Sequence, residues 1–187
     1  MRRASRSTRR GSGSTHSSRR RAASPSSRSP DVAGEEQKLR ALGMTLPEPL
    51  ADESNNIRAV RVGNLLFVSA HSYPQDDAHK KYDGKVGREV DLKTAQEAAT
   101  EIALLILATI KKSLGDLGKV KRIVRTYGVV NSTPDFTMQT AILNVASDLF
   151  IEVLGRERGT GTRLPIAAVS AGHNYSLLMD MIIEVGD

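Results

Sequence analysis

From Ile57 onward the apolar and polar positions settle into regular periods. IRAVRVGNLLFVSA (57–70) is rich in β-formers on both sides of Gly63-Asn64, a dipeptide suited to a tight turn, and predicts two short strands. A polar stretch, 71–90, follows, with Asp83-Gly84 marking another turn. VDLKTAQEAATEIALLILATIKK (90–112) then has apolar positions 95, 98, 99, 102, 103, 106 and 110, the spacing of one helix face. Asp91 or Thr94 can cap this helix, and Thr94 with Glu97 fits a capping box. Leu104, Leu105 and Leu107 widen the stripe nearly all round, so the helix is expected to be covered on more than one side, by a sheet and by another subunit.

KVKRIVRTYGVVNS (119–132) reads as a strand from its β-branched content and the turn residues that end it. A second helix is expected over 132–155, with Thr133 at the cap, Pro134 at the first helical position and Gly155 ending it. Met138, Ile142, Val145, Leu149 and Val153 supply its buried stripe. Two more strands close the chain, joined by Gly172-His173-Asn174. The order β-β-α-β-α-β-β predicts an α/β (α+β) domain, a mixed sheet with two helices packed on one face. A short amphipathic stretch, Glu35–Leu42, precedes it and ends at Gly43.

Composition divides the chain in two. The net charge of +6 suggests a nucleic-acid binder, but nine of the 27 basic residues lie in residues 1–30, which hold no acid. The remaining 18 face all 21 acids, so the rest of the chain carries −3 and is not expected to bind nucleic acid. Residues 1–34 therefore read as an Arg/Ser-rich tail with almost nothing to bury, expected to be disordered, and 35–187 as the folded domain. A solvated extension, a transit peptide or a weak RNA contact would each suit the tail. The longest apolar helical stretch, Ile102–Ile110, is far below the roughly 18–20 residues of a membrane span, so no membrane partner is expected. The expected location is cytoplasmic, or mitochondrial if the tail is a transit peptide.

Candidate chemistry is sparse. Cysteine is absent, which excludes disulfides and thiolate nucleophiles, and the four histidines show no metal spacing. His71 and His79 share one polar stretch and read as surface residues. No phosphate-binding, zinc-protease or nucleophile-elbow motif occurs. Seven aromatic residues of 187 are too few for a base-stacking platform. What stands out is GTRLPIAAVSAGHNYSLLMDMIIEVGD at the C-terminus, where no residue between Arg163 and Asp180 carries a formal charge. Period two puts Asp180 on a face with Leu178, Ile182 and Glu184. A carboxylate there is paired or lies in a cleft. An Arg163–Asp180 bridge or an Asp on an open sheet face would account for it as well as a site would.

Several strings taken together resemble the RidA/YjgF family of enamine/imine deaminases, long called L-PSP endoribonucleases. They are VRVGNLLFVSAH, GDLGKVKRIVRTYGVVNSTPDF, and Arg163 followed seventeen residues later by an acid in a terminal apolar strand. LGMTLPEPLA and NVASDLFIEVLG look like a branch whose members carry a Leu-Gly-x-x-Leu-Pro opening. The resemblance covers roughly Leu39 to Val185. It implies a chorismate-mutase-like fold, a homotrimer with clefts between subunits, and no cofactor or metal. It also implies hydrolysis of 2-enamino and 2-imino acids to 2-keto acids and ammonia. Arg163 would bind the substrate carboxylate, Asp180 would handle a water or proton, and Ser69, Ala70 and Asn144 would line the cleft. Asp180 stands where the family's commonest residue is Glu, Ala70-His71 replace Gly-Gln, and Pro165 removes an N–H two residues after Arg163. The usual Tyr before the first strand is replaced by DESNNIRAV. A catalytically silent trimer that binds 2-keto acids is the alternative these departures leave open, and an RNA-directed role is the weaker one.

Overall fold

The structure, a computed structural model, describes residues 34–186. The expectations for the tail lie outside the described residues. Five strands form one sheet: β1 (Ala59–Val62), β2 (Leu65–His71), β3 (Val120–Asn131), β4 (Thr162–Ala168) and β5 (Leu177–Val185). The helices are α1 (Gly34–Ala41), α2 (Leu92–Leu114), α3 (Gln139–Leu154) and a single turn, α4 (Arg156–Gly159). The strand order is β1-β2-β5-β3-β4, and every neighbouring pair is antiparallel except β3 with β4, which are parallel and joined through α3 and α4. The sheet is therefore mixed, as the element order predicts.

On β5 the odd positions Leu177 to Val185 are buried and the even ones, Leu178 to Glu184, half-buried. The buried set faces α2 and α3 in one core with Leu66, Val68, Ile102, Ile106 and Leu143. Among the described residues no helix packs on the other face of the sheet. It exposes Val60, Val62, Phe67 and Leu164, with Phe67 41% exposed and Val62 61%.

Asp91, not Thr94, caps α2: its side chain accepts the backbone N–H of Thr94 at 2.7 Å. Gly115 ends the helix in the left-handed region at φ 78°, where a side chain would be strained. The all-round apolar character of α2 is explained within the chain itself. Leu105 and Leu107 are buried, and Leu39, Met44 and Leu46 from the segment before β1 join the same core. Within one chain the helix is thus covered by the sheet and by this segment, and of the three leucines that widen its stripe only Leu104 stays half-buried.

The second helix also starts later than expected. Thr133 and Pro134 belong to a turn closed by Phe136 N–H donating to the Thr133 carbonyl at 3.2 Å, with Pro134 at its second position. The buried face of α3 is Ile142, Leu143, Ala146, Leu149, Phe150, Val153 and Leu154, while Met138 is 49% exposed. The helix is rotated towards the 143/146/150 row because it must pack against α2 as well as the sheet. Leu143 sits so close over Gly128 of β3 that a Cβ there would collide with its side chain.

Candidate functional site

Arg163 lies on β4, an edge strand, opposite Thr126 of β3. Thr126 is buried on the helix side of the sheet, so the Arg163 side chain is on that side too. There its two terminal nitrogens donate to α3, one to Ser147 Oγ at 2.9 Å and the other to Asn144 Oδ1 at 2.5 Å. A guanidinium has five N–H donors, so three stay available. Among the described residues no carboxylate pairs with Arg163; both of its acceptors are neutral. The group lines a cavity of about 280 Å³ together with Thr126, Asn144, Ser147, Asp148 and Thr160. Two of the predicted residues, Arg163 and Asn144, are thus brought into direct contact.

The other three meet elsewhere. Val68 pairs with Met181 and His71 with Met179, so Ser69 and Ala70 together face the single residue Asp180 in a bulge. Asp180 is paired on its other side with Tyr127 and stands on the face without helices. It makes no hydrogen bond or ion pair among the described residues, and loss of water around it raises its pKa, against the opposing pull of Arg125. The Ser69 hydroxyl donates to Asn56 Oδ1 at 3.3 Å, so the DESNNIRAV stretch before β1 reaches the strand end that carries Ser69.

His71 is not a surface residue. It is fully buried, its Nδ1 2.7 Å from the Ser69 carbonyl and its Nε2 2.8 Å from Thr109 Oγ1 on α2. A carbonyl can only accept, so Nδ1 carries the proton and neutral Nε2 accepts from the threonine hydroxyl. Burial pushes the His71 pKa down, which fits that neutral ring. His71 therefore ties the bulge, and with it Ser69 and Ala70, to α2. His79 lies between Asp76 at 2.6 Å and Glu101 at 2.9 Å, and these contacts anchor its loop. No group of His, Asp or Glu able to hold a metal occurs among the described residues, and no described helix is long and apolar enough to cross a membrane.

Arg163 and Asp180 do not form a bridge. They are on opposite faces of the sheet and on strands separated by β3. The open-face account of Asp180 holds, while the bridge account fails because seventeen residues of separation say nothing about which face each strand presents. Sequence reasoning missed Ser147 and Asp148. Their signal was available: they follow Asn144 by three and four residues, the spacing of one helix face. Thr126 and Asn56 have no comparable signal, since strand pairing and the course of a loop place them.

The chain's relatives are informative. The family described as "YjgF/chorismate mutase-like, putative endoribonuclease" matches residues 36–183. Protein TCP17 of Trypanosoma cruzi is 32% identical over 149 residues, covering 80% of this chain and 92% of that protein. Among solved structures, Atu1372 of Agrobacterium tumefaciens, a protein of unknown function, shares 36% identity at a TM-score of 0.75, over 83% of this chain and 94% of its own. A Shewanella oneidensis protein described as a "putative endoribonuclease" shares 28% identity at a TM-score of 0.74, over 81% of this chain and 99% of its own.

Proposed function

The chain belongs to the YjgF/chorismate mutase-like family, and from that premise we propose that it hydrolyses 2-enamino and 2-imino acids to 2-keto acids and ammonia. The observation that carries this reading is the Arg163 guanidinium, held by two neutral acceptors at the rim of a small cavity with three donors unused. A carboxylate is the ligand such a fork takes best, through two parallel charge-assisted hydrogen bonds. The enamine first gains a proton at the β-carbon to become the imine. Water then adds to the C=N carbon, and the resulting carbinolamine expels ammonia and leaves the keto group. Each step moves a proton, and none needs an oxidant or reductant. Loss of water raises the Asp180 pKa, so this carboxyl group holds a proton more readily than a solvated one, which supports Asp180 in exchanging those protons.

Asp180 and Arg163 of one copy cannot meet across the sheet, so the reading requires Asp180 of a second copy to face Arg163 of the first. Two observations favour this. Arg163 lies at a sheet edge, where another copy can approach. Asp180 lies on a helix-free face whose exposed apolar residues, Val60, Val62 and Phe67, suit burial against a copy of the same chain. A cyclic trimer with the site between subunits satisfies both.

The test is to generate 2-aminoacrylate in solution and follow pyruvate release. The wild type is expected to accelerate release and Arg163→Ala to lose that acceleration. No acceleration by the wild type would overturn the deaminase reading. Pro165, which offers no N–H beside the anchor, favours a second reading, a silent carboxylate-binding trimer. That reading stands if the wild type binds pyruvate, Arg163→Ala does not, and neither accelerates its release.

A further inference from the structure

The cavity beside Arg163 holds a second charge that the deaminase reading does not use. Asp148 follows Asn144 by one helical turn on α3 and lines the same space. Arg163 and Asp148 are the only charged residues in that lining, and they are of opposite sign. They form no ion pair with each other, and Asp148 has no hydrogen-bond or salt-bridge partner among the described residues. The guanidinium is instead turned to Asn144 and Ser147, which leaves cation and carboxylate facing one small volume separately. Thr126 and Thr160 add hydroxyls to its wall. At about 280 Å³ the space accommodates a molecule of amino-acid size.

We infer that this cavity is selective for zwitterions: Asp148 receives the cationic nitrogen of a 2-iminio or 2-amino acid whose carboxylate rests on Arg163. The inference rests on the reading of Arg163 as the carboxylate anchor. Its physical basis is a difference between substrate and product. A protonated imino acid brings one charge of each sign and satisfies both walls. A 2-keto acid brings only its carboxylate, leaves Asp148 without a cation and places carbonyl oxygen dipoles near it. The same residue therefore favours the nitrogen-bearing substrate and disfavours the product that must leave, by attraction in one case and repulsion in the other. Asp148 is a specificity residue in this scheme and touches the group that departs as ammonia.

L-Alanine and pyruvate share three carbons and a carboxylate and differ at C2, so they are the probes. Binding of each to the full-length protein is measured by calorimetry or ligand-observed NMR, for the wild type, Asp148→Asn and Arg163→Ala. The wild type should prefer alanine. Asp148→Asn, a near-isosteric change on an exposed helix face, should weaken alanine about fivefold, the loss of one solvent-edged charge pair, while pyruvate binding holds or tightens. Arg163→Ala should lose both. An alanine-to-pyruvate preference unchanged in Asp148→Asn would overturn the inference, as would a wild type that binds neither. If pyruvate release from 2-aminoacrylate is accelerated yet the preference is unchanged, only the role of Asp148 fails. If the preference holds and no acceleration is seen, the zwitterion site stands without the deaminase.

Discussion

At Asp180 a carboxylate sits on the helix-free face of a central strand, opposite the Ser69–Ala70 bulge, with no hydrogen-bond donor of its own among the described residues. Desolvation favours its protonated form, so the folded state holds the proton to a higher pH than the unfolded chain does. The sign of the effect on stability follows. Below the ordinary value of 3.8 both states are protonated and the residue is neutral for stability; as pH rises from there through the folded pKa, ionisation costs the folded state more, and stability falls. In the dissociated single chain, reached by dilution, Asp180→Asn should therefore melt higher than the wild type at pH 7, and thermal unfolding across pH should show the gain disappearing below pH 3.8. A loss of stability that appears only at concentrations where copies associate would instead show Asp180 paired with Arg163 of a second copy, as the shared site requires. Of the site, Arg163, Asp180 and Asn144 are legible as residues, because a lone charge in an apolar strand and a family-like string both draw attention to them. Their grouping is not. Side-chain period two fixes the face of each residue within its own strand, while the face shared between β4 and β5 depends on pairings across β3 that no local pattern encodes.

The elements themselves are largely legible, since each rests on a local period. All five predicted strands, both long helices and the short helix before them occur close to the expected residues. The start of α3 is not legible because Thr133-Pro134 suits a turn as well as a helix entry, and the turn wins through its bond to Phe136. The bulge in β2 is equally hidden: it arises where buried His71 holds the Ser69 carbonyl and the Thr109 hydroxyl, residues brought together only by packing α2 on the sheet. That clamp has a measurable consequence. The His71 pKa is lowered in the folded state, so the unfolded chain binds more protons below the ordinary value of 6.5, and stability declines as pH falls through that value. His71→Gln keeps one donor and one acceptor without a titrating ring. Urea unfolding should show the wild type losing stability from pH 7 to pH 5 while the variant changes less over that interval. An equal slope in both would remove His71 from the clamp.

At the scale of the whole molecule, a five-stranded sheet is covered by α2 and α3 on one face and bare on the other. The bare face carries Asp180 among apolar residues, and the edge carries Arg163 on the covered side. One copy thus holds both halves of the proposed site in places that cannot meet, and two copies can join them. The most direct test is pyruvate release from 2-aminoacrylate by Arg163→Ala alone, by Asp180→Asn alone, and by the two co-expressed in equal amounts. Each variant alone should stay near background. The mixture should recover about a quarter of wild-type activity, the share of sites that combine an intact Arg163 from one subunit with an intact Asp180 from its neighbour in a cyclic oligomer. A mixture no more active than its two parents, beside an active wild type, would contradict a site shared between subunits.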